Sequence, residues 1–403
     1  MGDVLPLTAT KAVPPRAQYP EKQFSLRRLS VDKFRNYTHA ELACDAQSVV
    51  LTGPNGAGKT NMMEALSMLA PGRGLRRASR DAFGTRAPDA AQDGTRKAPI
   101  GPWALFAELE TPEGPLTIGT GADADNPEAS RIVRIQGAPS SQNALAQHLA
   151  VSWLTPQMDG LFIGSASSRR RFIDRLAIAF DDAHNGRIVR YEKAWRERSR
   201  LLADGTGDKS WFAGLEQILA ETGVAIMATR AALIADMNRQ SAAMDTLFPK
   251  VNALLQGEAH QLLDAGLPAI DIEDRIMQMA ATSRKAGNVS MPGPHETDLV
   301  MMFSGRSAAE ASTGEQKAVM ISAILAHAQL QDERLGRPPL LLLDDVAALE
   351  KLPLEALPPY LFLLNVPSLD FYLTKSNPLM DPFLMLDLME SQFIFWNKFK
   401  ALV

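Results

Sequence analysis

Residues 53–60 read GPNGAGKT and fit the pattern G-x-x-x-x-G-K-[ST] at every position. The apolar run at 49–51 predicts a short strand before them, and NMMEALSML after them has the apolar spacing of a helix. In such a strand–loop–helix unit, backbone amides and the helix dipole attract a polyphosphate. The alternative is a glycine-rich turn without a ligand, and the complete match favours a nucleotide-binding α/β domain.

The residue types inside this loop predict separate roles around the phosphates. Gly56 and Gly58 let the backbone pass close to a ligand, because neither residue has a Cβ. Lys59 is expected to reach the β- and γ-phosphates, and the Thr60 hydroxyl is expected to bind Mg²⁺. We therefore predict that ATP or GTP contacts Gly53, Pro54, Asn55, Gly56, Ala57, Gly58, Lys59, Thr60 and Asn61.

The stretch PPLLLLDDV at 338–346 predicts the acidic part of the same site. Continuous leucines are typical of a strand buried in a parallel sheet, and ligands bind at the carboxyl ends of such strands. Asp344 would then lie behind Mg²⁺, mostly through water, and Asp345 would accept a proton from attacking water. Two aspartates after an apolar run also occur in simple strand-ending turns, and the phosphate loop upstream favours the site.

The stretch ASTGEQKAVM at 311–320 leaves two interpretations open. Ser312 precedes Glu315 by three residues, as in a capping box, which predicts a well-capped helix start without a ligand. Alternatively, Ser312, Gly314 and Gln316 present a hydroxyl and backbone amides to a phosphate, which predicts a second anion-binding helix start.

Composition limits the class of protein. A chain of 403 residues can hold two or three domains, each with its own core. The net charge of −4 argues against a chain that coats nucleic acid, although a local basic face is compatible with it. No apolar run reaches the length of a membrane helix, and a single cysteine, Cys44, excludes an internal disulfide. These features predict a protein of a reducing, cytoplasmic compartment without a membrane partner.

The order of predicted elements indicates one sheet domain split by an insertion. Alternating strand patterns begin near residue 24, with a hairpin around Glu113 and Gly114, and the chain then has helical spacing over about 161–286. We predict an α/β fold with an inserted, mainly helical lobe. The predicted boundaries are a disordered arm at 1–22, the first part of the ATP-binding lobe at 23–160, the helical lobe at 161–324 and the second part of the ATP-binding lobe at 325–403.

These motifs resemble those of ATP-binding-cassette ATPases, in which S-x-G-x-Q precedes an apolar strand ending in two acids. Ser312 follows Thr60 by 252 residues, a longer insertion than in transporter cassettes and a shorter one than the coiled coil of SMC-type heads. The chain is similar to the RecF family over 24–348, and the similarity is weak after 349. It is carried by LSVDKFRNY at 29–37, GPNGAGKTNMMEAL at 53–66, GRGLRRA at 72–78, WLTPQMDGLF at 153–162, SSRRRFIDRL at 167–176, GPHETDL at 293–299 and STGEQKA at 312–318.

The resemblance implies an ABC-ATPase or SMC-head-like fold that binds ATP and Mg²⁺ and acts in recombinational repair of gapped DNA. Family members work with RecO and RecR to load RecA, and slow ATP hydrolysis serves as a switch. Gln157 would touch Mg²⁺ and the attacking water. Ser312, Gly314 and Gln316 would contact the γ-phosphate bound by the partner in an ATP-dependent homodimer. The family usually has Arg where Glu296 stands, which leaves the role of that segment open.

Local charge suggests where DNA could bind. Residues 169–200 contain ten Arg or Lys and five Asp or Glu. A basic stripe of this kind would contact phosphates without reading bases. The predicted contacts are Arg169, Arg170, Arg171, Arg190, Lys193 and Arg200. The alternative is a solvated helix face with intrahelical pairs such as Glu192–Arg196, and Arg73, Arg76 and Arg77 fit either DNA or ATP.

Two further questions stay open in the sequence. The tail from 349 departs from the family pattern, and it is either a divergent working tail or a segment of different origin that lacks the final sheet strands. The second question is the function, for which the sequence leaves two alternatives. One is a transport-type cassette coupled to a membrane or another protein, and the other is an ATP-binding interaction protein that no longer hydrolyses ATP.

Overall fold

The structure is a computed structural model that describes most of the chain. The described residues are 25–43, 48–51, 56–76, 78, 82–84, 101–111, 113–123, 131–244, 248–288, 290–336, 339–344, 361–365 and 393–396, and at 48–50, 361–365 and 393–396 the description covers the backbone only. The predicted arm at 1–22 therefore lies outside the described residues, as do Gly53, Pro54, Asn55, Arg77 and Asp345.

The described elements form strand-rich stretches at both ends of the chain and a helix-rich stretch between them. The strands are β1 (Ser25–Phe34), β2 (Tyr37–Ala43), β3 (Ser48–Leu51), β4 (Ala104–Thr111), β5 (Gly114–Gly121), β6 (Ile132–Ile135), β7 (Ala138–Ser140), β8 (Val151–Leu154), β9 (Val251–Gln256), β10 (Asp298–Phe303), β11 (Arg306–Ser307), β12 (Leu340–Asp344), β13 (Leu361–Asn365) and β14 (Phe393–Trp396). The helices are α1 (Lys59–Ser67), α2 (Ala166–Ala177), α3 (His184–Ala203), α4 (Lys209–Ala243), α5 (Glu258–Asp264), α6 (Ala269–Lys285) and α7 (Thr313–Leu335).

A parallel sheet in the order β14-β3-β13-β12-β8 positions the predicted nucleotide site. Because all its pairings are parallel, the carboxyl ends of β3, β12 and β8 lie along one edge. Two strands of the atypical tail belong to this sheet, and β13 lies between β3 and β12. The interpretation of a tail that lacks the final sheet strands is therefore wrong for these two segments.

The apolar strand β12 is buried on both faces, as predicted from its leucines. Leu340 and Leu342 belong to a core with α1 and the six-stranded antiparallel sheet of order β2-β1-β4-β5-β6-β7. Leu341 and Leu343 belong to a second core with α2, α7 and the end of α4. In the antiparallel sheet, Thr111 pairs with Gly114 across the β4–β5 turn, which confirms the predicted hairpin.

The region between β8 and α7 is mainly helical, and α4 is its central element. The first half of α4 packs against α3 and α6, and its last turns join the core under β12. Within the described part of the chain, α4 is the one helix that by length and composition could cross a membrane, because an 18-residue segment of it has a mean hydropathy of 1.6. However, 56% of that segment is buried inside the protein, as in the core helix of a globular domain.

The prediction of helix throughout 161–286 is wrong at β9, which pairs with β10 in a three-stranded antiparallel sheet. A helix side chain covers the outer edge of β9. Asn238 of α4 donates from Nδ2 to the Ala253 carbonyl at 2.8 Å and accepts from the Ala253 amide at 2.7 Å. The strand is therefore shielded from pairing with another strand at this position.

Candidate nucleotide-binding site

The phosphate loop enters α1 through glycines in the left-handed region. Gly56 has φ +85°, and Gly58, the N-cap of α1, has φ +96°, a conformation that side chains with a Cβ rarely adopt. Gly58 is followed directly by Lys59, whose side chain is buried. The backbone thus has the turn that the sequence pattern predicts at 56–60, and contacts from Gly53, Pro54 and Asn55 stay predictions.

Thr60 and Asp344 meet at the end of the parallel sheet. The Thr60 Oγ1 donates to Asp344 Oδ1 at 3.2 Å, and Asp344 is buried. A hydroxyl oxygen and a carboxylate oxygen side by side are hard ligands of the kind that Mg²⁺ prefers. The residues present therefore fit the predicted metal position. The base role of Asp345 stays a prediction, because that residue lies outside the described residues.

The turn between β1 and β2 forms a wall behind the phosphate loop. This wall was not predicted from the sequence. The Tyr37 hydroxyl donates to the Gly58 carbonyl at 2.9 Å, and Asn61 Nδ2 donates to Asn36 Oδ1 at 2.6 Å. Arg35 forms a double hydrogen bond of 2.8 and 2.6 Å to the fully buried Glu64. The signal that could have found this wall is the motif FRNY at 34–37, which contributed to the family resemblance.

Arg76 belongs to the neighbourhood of α1. Its Nη1 donates to Asn61 Oδ1 at 2.8 Å and lies 3.4 Å from Glu64 Oε2. Arg76 thus contacts two side chains of α1, and Arg73 and Arg76 are both exposed. Binding of DNA or of ATP by these two arginines stays a prediction.

Gln157 follows β8 at the same edge of the parallel sheet as Asp344. It is exposed and lines a cavity of about 300 Å³ together with Thr155, Ser168 and Arg171. The structure thus places Gln157 beyond the carboxyl end of the strand next to β12. Its contacts with Mg²⁺ and water stay predictions.

The start of α7 has the full capping box. The Glu315 amide donates to the Ser312 Oγ at 3.4 Å, and the Ser312 amide donates to Glu315 Oε2 at 2.9 Å. The Ser312 Oγ also donates to Glu315 Oε2 at 2.8 Å. Arg306 is ion-paired with the other Glu315 oxygen, and the hydrogen bonds from Ser312 hold the pKa of Glu315 below its usual value. The predicted capping box is confirmed, and a contact of Ser312 with a phosphate stays a prediction.

The other two signature residues differ in exposure. Gly314 is exposed, whereas Gln316 is buried and donates from Nε2 to the Ala311 carbonyl at 2.9 Å. The next residue, Lys317, forms an ion pair of 3.0 Å with Asp159, which follows Gln157 by two residues. The signature helix and the segment after β8 are therefore tied together.

The predicted DNA-contacting residues divide into two groups. Arg169 donates to both carboxylate oxygens of Asp298 at 2.6 and 2.8 Å, and Arg170 donates to the Thr297 carbonyl at 2.8 Å. The hydrogen bonds from Arg169 hold the pKa of Asp298 below its usual value. The two guanidinium groups thus connect α2 to β10 and to the residue just before it, which is a structural role that the sequence did not predict.

The second group is exposed on the helical lobe. Its members are Arg171 on α2 and Arg190, Lys193 and Arg200 on α3. Arg200 is ion-paired with Glu197 at 2.7 Å. The expected side-chain pair Glu192–Arg196 is instead a hydrogen bond of 3.1 Å from Arg196 Nε to the Glu192 carbonyl.

Comparisons with known proteins agree with this architecture. A sequence model of the family described as RecF/RecN/SMC N terminal domain matches residues 25–358. The DNA replication and repair protein RecF of Rhizobium etli (strain ATCC 51251) is 43% identical over 330 residues, which are 80% of this chain and 85% of that protein. RecF of Mesorhizobium japonicum is 43% identical over 338 residues, 81% of this chain and 85% of that protein.

Solved structures show the same fold. The structure of the recombination mediator protein RecF-ATPrS in the RecFOR pathway aligns with a TM-score of 0.72 at 18% identity, over 87% of this chain and 94% of that chain. The corresponding RecF-ATP structure aligns with the same values. The predicted ABC-ATPase and SMC-head-like architecture is thereby confirmed, and the chain belongs to the RecF family.

Proposed function

We propose that this chain is an ATP-dependent DNA-binding protein of recombinational repair and replication restart. The observation that carries the proposal is the contact of Thr60 with Asp344, which brings the phosphate-loop helix and the acidic strand into one site. The names of the relatives, DNA replication and repair protein RecF, support the assignment of this site to DNA repair.

Binding of ATP would occur at the start of α1. Lys59 and the amides at the start of α1 would hold the phosphates. Thr60 and Asp344 would hold Mg²⁺, which when bound neutralises phosphate charge and orients the γ-phosphate. Gln157 and Asp345 would position the attacking water and accept its proton, giving a weak ATPase that acts as a switch.

Dimerisation would couple ATP to DNA. The exposed start of α7, with Ser312 and Gly314, would complete the site of a second copy, so that the dimer alone contacts both sides of the nucleotide. The dimer would hold DNA through the exposed basic residues of the helical lobe at single-strand gaps. By family resemblance, the partner proteins would be RecO and RecR, and the outcome would be the loading of RecA. A cytoplasmic location follows from that role.

The test is sedimentation of the chain with and without Mg²⁺ and a non-hydrolysable ATP analogue. We expect the wild type to shift from monomer to dimer with the analogue, and Lys59→Met to stay monomeric. Lys285→Met is the matched control, because Lys285 is an exposed lysine at the end of α6. Nucleotide binding without a dimer in the wild type would contradict the proposed clamp.

A further inference from the structure

Gly58 carries more contacts than a helix start requires. Its carbonyl accepts from the amides of Asn61 at 2.7 Å and Met62 at 3.0 Å, and also from the Tyr37 hydroxyl at 2.9 Å. A Cβ built on Gly58 would lie 2.5 Å from the Tyr37 hydroxyl and 2.9 Å from Asn36 Nδ2. The β1–β2 turn therefore fills the space that a side chain at Gly58 would occupy.

The turn that places Tyr37 adopts an unusual backbone conformation. Lys33 and Arg35 have φ +49° and +58°, in the left-handed region that residues other than glycine rarely adopt. Strained residues of this kind persist where the surrounding structure fixes them, and they cluster at functional sites. Their position next to the phosphate loop makes the turn a candidate for a functional role.

Contacts on both sides of Arg35 hold the turn in place. The Arg35 amide donates to the Phe83 carbonyl at 2.7 Å, its Nη1 donates to the Ala82 carbonyl at 2.6 Å, and its other nitrogens reach Glu64 of α1. Phe34 stacks on Phe83 with ring centroids 5.6 Å apart. The turn is thus fixed both to α1 and to the segment 82–84, and Tyr37 emerges from it at a defined place.

From these contacts we propose that Tyr37 is a positioning residue of the nucleotide site, whose hydroxyl holds Gly58 and the first amides of α1 in the conformation that binds phosphate. The inference rests on the proposed function, because it concerns how the same site binds ATP. Tyr37 itself is buried behind the loop and acts through Gly58, whose carbonyl its hydroxyl contacts.

The protein offers a matched control for the loss of one buried tyrosine hydroxyl. Tyr37 is 3% exposed and Tyr191 is 4% exposed, and the Tyr191 hydroxyl is hydrogen-bonded to His295 Nδ1 at 2.6 Å in the helical lobe. Burial raises the pKa of both hydroxyls, so both are protonated at neutral pH. Tyr37→Phe and Tyr191→Phe therefore remove equivalent groups, one at the phosphate loop and one in the helical lobe.

The experiment measures the Kd of ATP and of ADP by calorimetry in Mg²⁺, and the Tm of each variant without nucleotide. We expect both variants to lose a similar amount of thermal stability. Tyr37→Phe should raise the Kd of ATP about five-fold, the effect of one hydrogen bond. The Kd of ADP should rise by the same factor, because the first amides of α1 are expected to face the β-phosphate that both nucleotides share. Tyr191→Phe should leave both Kd values unchanged.

Three results would overturn the inference while leaving ATP binding in place. In the first, Tyr37→Phe loses stability but keeps the wild-type Kd, which would make Tyr37 merely structural. In the second, both variants raise the Kd equally, which would be a general effect of stability. In the third, the Kd rises for ATP alone, which would place the effect at the γ-phosphate. If the wild type itself binds no ATP, the proposed function fails together with the inference.

Discussion

The Thr60 hydroxyl lies 3.2 Å from an Asp344 carboxylate oxygen, although 284 residues separate the two in the sequence. Thr60 is in the first turn of α1 and Asp344 is the last residue of β12, so the contact closes the sheet edge around the position expected for Mg²⁺. The contact brings a hydroxyl oxygen and a carboxylate oxygen together at the position proposed for Mg²⁺.

We expect Asp344→Asn to weaken the Mg²⁺-dependent part of ATP binding. Loss of a group that supports a bound metal typically costs about 10–100-fold in affinity. The Kd of ATP should therefore rise by about that factor in Mg²⁺ and stay unchanged in EDTA. Calorimetry in the two buffers checks this, with Asp332→Asn, an exposed carboxylate near the end of α7, as the control. An equal loss in both buffers would contradict a metal role.

We expect Glu315→Gln to strengthen ATP-dependent dimerisation. In the free chain the Ser312 hydroxyl donates to the Glu315 carboxylate, so an incoming γ-phosphate meets a like charge at this helix start. Removing that charge should tighten the dimer about five-fold, since one such repulsion in water costs on the order of 1 kcal/mol. Sedimentation with the ATP analogue measures it, and Glu310→Gln is a nearby control. A weaker dimer would show that Glu315 assists the phosphate contact instead.

We expect Arg190→Glu combined with Lys193→Glu to weaken the binding of DNA of any base sequence. Both side chains are exposed on α3, and contacts with phosphates release counterions on binding. The slope of log K against log salt should fall by about 2, one for each lost phosphate contact. Fluorescence anisotropy over a salt series measures the slope. The control is Lys209→Glu with Lys285→Glu, and an equal change in this control would point to net charge instead of a defined surface.

Two buried histidines, His260 and His327, and the half-buried His295 are expected to make the free energy of unfolding depend on pH in the acidic range. Burial lowers the pKa of His327 from 6.5 to about 4, and it also lowers the pKa of His260 and the pKa of His295 to about 4. Since the unfolded chain takes up these protons at higher pH than the folded chain, the free energy of unfolding should fall as pH drops from 6.5 toward 4. His327→Asn should make this decline shallower, as measured by urea unfolding at several pH values. Ser152→Ala, which removes a hydroxyl 3.5 Å from His327, should keep the wild-type slope.

The buried Asp174 is expected to be critical for the stability of the helical lobe. It accepts from Arg230 at 2.8 Å on each oxygen and from His184 at 2.9 Å. Burial raises its pKa, but these hydrogen bonds outweigh burial and leave the pKa below its usual value. Asp174→Ala leaves the Arg230 charge buried without its partner, which should cost about 3–5 kcal/mol of unfolding free energy.

Urea unfolding measures this cost against an exposed ion pair. Arg200→Ala, which breaks the exposed pair with Glu197, should cost about 0–1 kcal/mol. Similar losses for Asp174→Ala and Arg200→Ala would contradict the argument.

The glycine turn at the start of α1 was predictable because its parts are local in the chain. The glycines and Lys59 stand next to each other in the chain, and the turn they form depends on local backbone freedom. Asp344 could be placed beside Thr60 from the rule that parallel strands end at one sheet edge. The wall formed by Tyr37 could not be predicted from composition or spacing, because it depends on which strand turn lies behind the loop.

The arginines show why the DNA surface was harder to predict. A charge count treats Arg169 and Arg190 alike, yet Arg169 is held by Asp298, 129 residues away, and Arg190 is exposed. The strand β9 was missed for a similar reason, since its partner β10 lies beyond α5 and α6. Pairings over such distances in the chain follow from tertiary packing, which the local pattern does not contain.

The leucines of β12 point alternately to its two faces, and this has a consequence for how the protein unfolds. Leu340 and Leu342 complete one core, and Leu341 and Leu343 complete the other, so each core loses part of its wall when the other melts. The two halves are therefore expected to melt in one cooperative transition instead of in sequence. Because Asp344 ends this shared strand, the same transition would separate it from Thr60 and remove the position proposed for Mg²⁺. Nucleotide binding is therefore expected to be lost in the same step as both cores.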